Sequence, residues 1–234
     1  MNSNYVFEPV SISSVPVLGS DSLFPVRRIL CVGANYVAHQ LEMGRDPSRE
    51  LPFFFSKPRD SLVLADKKLN TRIPFPKQTN NLHYEIEMVV GIGEKTSNIE
   101  PAQAENVIWG YGVGIDLTRR DLQKEAKDKG RPWELGKGFD NSAVISSLSP
   151  VSQVGHPSNL NIWLKVNNEI KQKSNIDKLI WSVPEMISFL SKTMNLEPGD
   201  IIYTGTPEGV GMINKGDIVT GGIDNLAEIS ITLE

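Results

Sequence analysis

Glu85 and Glu87, set in His83-Tyr84-Glu85-Ile86-Glu87-Met88-Val89-Val90-Gly91, are the residues of this chain whose types and spacing speak most directly of chemistry. The alternation of polar and apolar residues predicts a half-buried β-strand, on which residues two apart share a face with Cβ atoms roughly 6.6 Å apart. Two carboxylates on one face repel, and both stay ionised where a cation, a basic side chain or water stands in front of them. Their oxygens suit a hard ion such as Mg²⁺ or Mn²⁺ better than zinc, which prefers nitrogen and sulfur. Asp116, at the end of a glycine-rich strand, is the candidate third ligand. A solvated strand face with two ordinary glutamates satisfies the same spacing, and Asp116 also fits as a helix cap, so spacing leaves both readings open.

His39 and Glu42 lie at i and i+3 on an expected short helix, close enough for the carboxylate to fix the imidazole tautomer and raise its basicity. That arrangement suits a general base acting on water; a surface pair that merely supports the helix has the same spacing. Arg120 and Gln123 repeat the i, i+3 relation on a second helix, just after Asp116. Lys137 stands between Gly136 and Gly138 in a long loop, as a site residue or as a solvated loop lysine. Thr204-Gly205-Thr206-Pro207-Glu208-Gly209-Val210-Gly211 offers backbone N–H groups and hydroxyls to an anion such as a carboxylate. It lacks the Gly-Lys-Thr/Ser ending of a phosphate-binding Walker loop.

The elements that must hold these residues are short. Arg28–Gly33 reads as a buried strand, and Tyr36–Met43 as a helix capped by Asn35 and closed by Gly44, with Pro47 beyond, in the manner of a mobile lid. Leu51–Pro58 is an aromatic strand whose three phenylalanines address a core or a substrate wall; Lys57 at its end suits the surface or the site. Pro101–Ile108 is expected to be helical, Trp109–Thr118 a strand where another backbone approaches its glycines, and Thr118–Lys129 a helix. Leu160–Val166 and Glu169–Lys173 form a hairpin about Asn167-Asn168, and Val183–Met194 is a helix. Ile201–Tyr203 is a buried strand, and stretches around 217–220 and 226–233 complete the set.

Composition excludes several classes. A chain of 234 residues with 39% hydrophobic and 22% charged residues is that of an ordinary globular protein. A net charge of −4 gives no basic footprint for nucleic acid. A single cysteine, Cys31, rules out an internal disulfide framework. Met1–Val10 lacks the form of a signal peptide and no apolar run is long enough for a bilayer, so the expectation is a cytoplasmic protein with no membrane partner. Residues 1–24 read as an N-terminal extension with room for an edge strand, and 25–234 as a single domain.

Together, Cys31-Val32-Gly33-Ala34-Asn35-Tyr36, Asn81-Leu82-His83-Tyr84-Glu85-Ile86-Glu87, Gly114-Ile115-Asp116-Leu117-Thr118 with Arg120-Asp121, and Thr204 to Gly211 resemble the fumarylacetoacetate hydrolase family, in particular its small fumarylpyruvate and acylpyruvate hydrolases. The resemblance runs from about Phe24 to the C-terminus and keeps motif order. It implies an α+β fold, a mixed β-roll or barrel-like sheet with short peripheral helices, and a homodimer. It implies Mg²⁺ or Mn²⁺ held by Glu85, Glu87 and Asp116, a water-activating His39/Glu42 pair on a lid, and a catalytic Lys137. Arg120, Gln123 and Thr206 match positions that line the substrate. Ala34 departs from the family, many of whose members carry Arg before Asn-Tyr.

The activity so implied is hydrolysis of the C–C bond of a 3-acylpyruvate, with fumarylpyruvate giving fumarate and pyruvate as the leading case. Oxaloacetate decarboxylation and 2-hydroxydienoate isomerisation share its enolate chemistry and stand as alternatives. From a different class, a non-catalytic metal-stabilised domain that binds an acidic ligand predicts a dispensable His39.

Overall fold

Ile86–Ile92 is the strand on which the molecule is assembled. In the computed structural model, which describes residues 4–44, 46, 49–69 and 71–234, it lies between Asp200–Tyr203 and Ile108–Asp116, antiparallel to both. The sheet continues on one side through Arg28–Gly33 to Phe53–Lys57, and on the other through Ala143–Ile145 to Leu62–Leu64. Two of these pairings are parallel, Asp200–Tyr203 with Arg28–Gly33 and Ala143–Ile145 with Leu62–Leu64, so the sheet is mixed. A second sheet of five strands runs in the order Glu169–Asn175, Asn161–Val166, Ile218–Ile223, Ile229–Leu233 and Thr71–Ile73. Short helices lie at the periphery, and the fold is α+β, as the family resemblance implies.

Both faces of the large sheet are covered. Ile86, Met88, Val90 and Ile92 point into the main core, where they meet Ile162, Leu164, Val219 and Ile231 of the second sheet. Val89 points to the opposite face, into a second core with Ile29, Cys31, Ile145, Leu148 and Tyr203. Ser14–Pro16 and Leu23–Pro25 pair antiparallel and cover this face through Val15 and Phe24. The expectation of a half-buried central strand is therefore corrected: every residue of Ile86–Ile92 is buried. Alternation separates two interiors here rather than interior from water.

Local elements follow the sequence with instructive exceptions. Asn167 and Asn168 both take positive φ, 50° and 68°, as a two-residue hairpin turn requires. The glycines of Ile108–Asp116 mark close approaches: a Cβ on Gly110 would stand 2.4 Å from the Ser149 carbonyl oxygen, and one on Gly114 2.4 Å from the Tyr203 ring. Pro101–Val107 is a 3₁₀ helix rather than an α-helix. The expected helix from Thr118 begins only at Arg120, because Thr118–Arg119 pairs with His83 and Leu82 as a short strand. Pro47 lies outside the described residues. Among the described residues no helix is long and apolar enough to cross a membrane.

Candidate active site

The carboxylates of Glu85, Glu87 and Asp116 converge although they come from different places. Glu85 sits at the break between strands Leu82–Tyr84 and Ile86–Ile92, Glu87 lies within the latter, and Asp116 ends the neighbouring strand. The Asp116 N–H donates to the Glu85 carbonyl at 2.9 Å, which fixes that break beside Asp116. One carboxylate oxygen from each lies within 4.8 Å of the others, and all three residues are buried.

Three buried carboxylates need compensation, and three cationic groups supply it. Lys137 Nζ lies 2.7 Å from Glu85 Oε2, 2.6 Å from Asp116 Oδ2 and 2.7 Å from Thr118 Oγ1. All three of its N–H donors are thereby engaged. Burial lowers its pKa, but Asp116 and Glu85 outweigh burial and raise it, so it stays an ammonium ion. Arg120 donates from Nη2 to Glu85 and from Nη1 to Gln123 Oε1 at 2.6 Å, leaving further N–H donors free. Lys57 Nζ stands 2.8 Å from Asp116 Oδ1 and donates to the Leu117 and Lys137 carbonyls. Its N–H groups point at those carbonyls, so Asp116 Oδ1 has a nearby charge and no aligned donor.

The carboxylates divide electrostatically. Burial raises the Glu85 pKa, but Lys137 and Arg120 more than offset this and hold it below the usual carboxylate range. Glu87 is pushed well above that range by burial and by Asp116 and Glu85, which outweigh the Lys137 charge and a 2.7 Å hydrogen bond from the Gly205 N–H. A buried all-oxygen cluster with one under-compensated carboxylate and one orphaned oxygen fits a hard divalent cation. His83, beside Arg120, is lowered to about 4 by burial and by the Arg120 charge, so its neutral ring accepts from Arg120 Nε at 3.4 Å.

His39 and Glu42 meet across this cluster. The helix Val37–Glu42 brings His39 Nδ1 to 3.0 Å from Glu42 Oε2, while Glu42 Oε1 accepts from the Gly209 N–H at 3.0 Å. A carboxylate on Nδ1 selects the Nδ1–H tautomer and leaves the Nε2 lone pair free. Asn35 is not the cap expected from sequence: Tyr36 holds that position with no side-chain cap. The Asn35 side chain accepts from Trp181 N–H at 2.7 Å and donates to the carbonyls of Trp181, 3.0 Å, and Thr204, 2.9 Å. The helix is thus docked over the site by Asn35 at its start and by Glu42 at its end.

Lys137 does not lie in a loop. It ends a one-turn helix, Glu134–Lys137, that seats against the helix Arg120–Asp128; a Cβ on Gly136 would stand 2.8 Å from the Gln123 backbone nitrogen. Thr206 Oγ1 accepts from Gln172 Nε2 at 2.9 Å, so its own proton is free to point into the cleft. Gln172 is fully buried and also accepts from the Ile86 N–H at 3.0 Å and donates to the Pro207 carbonyl at 2.8 Å, tying the loop to the central strand. A cleft lined by His39, Glu85, Glu87, Arg120, Gln123, Lys137 and Thr206 results, with Phe53, Phe55 and Trp133 as an aromatic wall. Asp116 lies beneath it and Glu42 behind His39. Lys57, Asn35 and Gln172 complete the arrangement; Lys57, a basic residue ending an apolar strand, and Asn35, within the Cys31–Tyr36 motif, carry a sequence signal, and Gln172 carries none.

The family model for the fumarylacetoacetate (FAA) hydrolase C-terminal region matches residues 28–234. The chain belongs to the fumarylacetoacetate hydrolase family. It is 45% identical over 193 residues to the fumarylpyruvate hydrolase of a Ralstonia species, covering 82% of this chain and 98% of that one. It is 41% identical over 207 residues to a mitochondrial oxaloacetate tautomerase of Arabidopsis thaliana, covering 88% and 91%. Among solved structures, the fumarylpyruvate hydrolase of Pseudomonas aeruginosa in complex with Mn²⁺ and pyruvate superposes with a TM-score of 0.96 at 51% identity, over 98% of this chain and 99% of that one.

Proposed function

We propose that this member of the family is a divalent-metal-dependent hydrolase that cleaves the C–C bond of a 3-acylpyruvate, with fumarylpyruvate as its substrate. The observation that carries the reading is the His39–Glu42 pair, with His39 lining the same cleft as Glu85 and Glu87, above the buried Asp116. The fumarylpyruvate hydrolases of Ralstonia and Pseudomonas aeruginosa support the choice of substrate. Glu85, Glu87 and Asp116 hold the cation, Mn²⁺ or Mg²⁺, which when bound supplies Lewis-acid stabilisation to the α-keto acid end of the substrate.

The chain's own residues do the rest. Thr206 O–H and the free Arg120 N–H donors orient the α-keto acid carboxylate. Glu42 holds His39 so that Nε2 takes a proton from water as it adds to the acyl carbonyl. The bond from that carbon to the methylene breaks, its electron pair leaving as pyruvate enolate, and the imidazolium returns a proton to the methylene. The acyl acid and pyruvate result. Lys137, with its donors engaged, stabilises the enolate through charge. The docked helix Val37–Glu42 keeps bulk water out.

Oxaloacetate tautomerisation is a second reading, favoured by the Arabidopsis relative. It moves a proton at the same methylene and needs no water. Metal-loaded wild type and His39→Ala are therefore assayed with fumarylpyruvate and with oxaloacetate, following fumarate, pyruvate and CO₂ together with the enol–keto change. Fumarate release abolished by the substitution is the expected result. Action on oxaloacetate alone replaces the hydrolase by a tautomerase or decarboxylase, fumarate release undiminished in His39→Ala removes the pair as the base, and silence on both compounds returns the chain to a binding role. We further propose a homodimer, as the family resemblance implies, that works in the cytoplasm.

A further inference from the structure

The cleft at the carboxylates is narrow, with a cavity volume of about 60 Å³, and opens outward. A second chamber of about 370 Å³ adjoins it. The two share Gly33, Ala34, Gln40, Phe53 and Lys127. At the doorway the Phe53 ring lies against Gly33, where a Cβ would stand 2.1 Å from it, and Ala34 adds only a methyl group; the two chambers meet beside this ring.

The helix Arg120–Asp128 runs along this passage. Arg120, Gln123 and Lys127 fall at i, i+3 and i+7, one stripe of the helix. Arg120 and Gln123 belong to the inner cleft, and Lys127 lies roughly 10.5 Å further along the axis, where it lines both chambers. An extended acylpyruvate that ends in a second carboxylate spans roughly 7 Å between its carboxyl carbons, at about 1.2 Å per bond. Each carboxylate and a flexible lysine stem add the remaining reach. Neighbouring Lys124 and Lys129 are paired with Asp128 and Glu125, whereas Lys127 forms no ion pair among the described residues. Among those residues it is also the cation of the outer chamber, whose other charged residues are Asp46 and Glu50.

We propose that Lys127 is a specificity-determining residue that binds the distal carboxylate of the acyl group and selects 3-acylpyruvates with a dicarboxylic, extended acyl chain. The inference rests on the hydrolase reading and adds to it the residue that recognises the far end of the acyl group. The α-keto acid end occupies the inner cleft, the chain passes Ala34 and Phe53, and the distal carboxylate meets Lys127. Asp46 and Glu50 beyond it disfavour an anion placed deeper, which makes the doorway a gauge of length.

The test compares fumarylpyruvate with acetylpyruvate, which lacks the distal carboxylate, in wild type and in Lys127→Met, Lys127→Arg, Lys124→Met and Arg131→Met. Arg131 lines a different cavity, behind the Phe53–Trp133 wall. The expected result is that Lys127→Met lowers the ratio of kcat/KM for fumarylpyruvate over acetylpyruvate by roughly five- to tenfold, through KM. Lys127→Arg is expected to restore most of it, and the two control variants to keep the wild-type ratio. An unmoved ratio in Lys127→Met, a loss shared equally by acetylpyruvate, or a fall caused by Arg131→Met overturns the assignment while leaving the hydrolase intact. Failure of wild type to cleave either compound removes the hydrolase reading and this inference with it.

Discussion

Lys137→Met gives the sharpest view of how the site is held together. The ammonium it removes lies 2.7 Å from Glu85 and 2.6 Å from Asp116, in a place with almost no solvent access. Breaking one partner out of a buried ion pair costs about 3–5 kcal/mol, because the remaining charge stays buried. Arg120 remains on Glu85 and Lys57 on Asp116, so the lower end applies, about 3 kcal/mol. For a domain of this length that lowers the melting temperature by roughly 6–12 °C. A divalent cation supplies positive charge to the same oxygens, and at a hundredfold excess over its Kd contributes about 2.7 kcal/mol. Wild type gains this as well, so the deficit narrows only through the ratio of the two Kd values: with the Lys137 charge no longer facing the ion, the variant is expected to bind Mn²⁺ roughly tenfold more tightly, and its deficit to fall from about 3 kcal/mol in EDTA to about 1.6 kcal/mol in saturating Mn²⁺. Thermal and urea unfolding of both proteins in each condition provides the measurement. A variant as stable as wild type in EDTA, or a deficit that Mn²⁺ leaves untouched, refutes the charge balance described for Glu85, Asp116 and Lys137.

Other substitutions test other parts. Glu42→Gln keeps the size of the side chain but removes the charge that fixes the His39 tautomer; kcat is expected to fall roughly 10²-fold with KM little changed, in steady-state assays. Asn35→Ala strips three hydrogen bonds to backbone groups, and a weaker one to the Met186 sulfur, from a fully buried position and leaves Trp181 and Thr204 groups unpaired, so unfolding is expected to show a loss of about 3 kcal/mol. Asp121→Asn addresses acid stability. Burial raises the Asp121 pKa, but donors from Thr79, Asn80 and Leu122 outweigh burial and lower it. A depressed folded pKa contributes stability above the unfolded value near 3.9, lost as pH falls through the folded value. Asp121 is half-buried and still screened by solvent, so the effect is below about 1 kcal/mol; the stability difference between wild type and variant is expected to narrow as the pH is lowered from 6 towards 3.

The sequence makes the acids legible and hides what surrounds them. Glu85 and Glu87 stand out because alternation along a strand is a local property, and Asp116 because a strand with glycines at alternate positions ends on it. Burial is not local: the same alternation describes a strand facing water and, as here, one between two cores. Lys57 and Asp116 are distant in the chain and sit on strands four places apart in the sheet, and only the curl of that sheet, whose edge strands Phe53–Lys57 and Leu62–Leu64 are joined by the turn Arg59–Ser61, brings the lysine to the acid. Asn35 looks like a cap because its neighbours look helical; its partners Trp181 and Thr204 belong to segments far along the chain. Gln172 sits in a hairpin strand of mostly exposed residues, and its burial follows from the Thr206–Pro207 loop lying over it. Lys137 reads as a loop residue because a one-turn helix leaves too little periodicity to detect, and docking against Gln123 holds that turn.

The proposed hydrolase is tested most directly by titrating Mn²⁺ into metal-stripped wild type while bound ion and fumarate release from fumarylpyruvate are measured on one sample. One ion per chain, with fumarate release rising in proportion to the bound ion and both lost in Glu87→Ala, is the expected result. Undiminished fumarate release after stripping, or Mn²⁺ bound without any C–C cleavage, contradicts it.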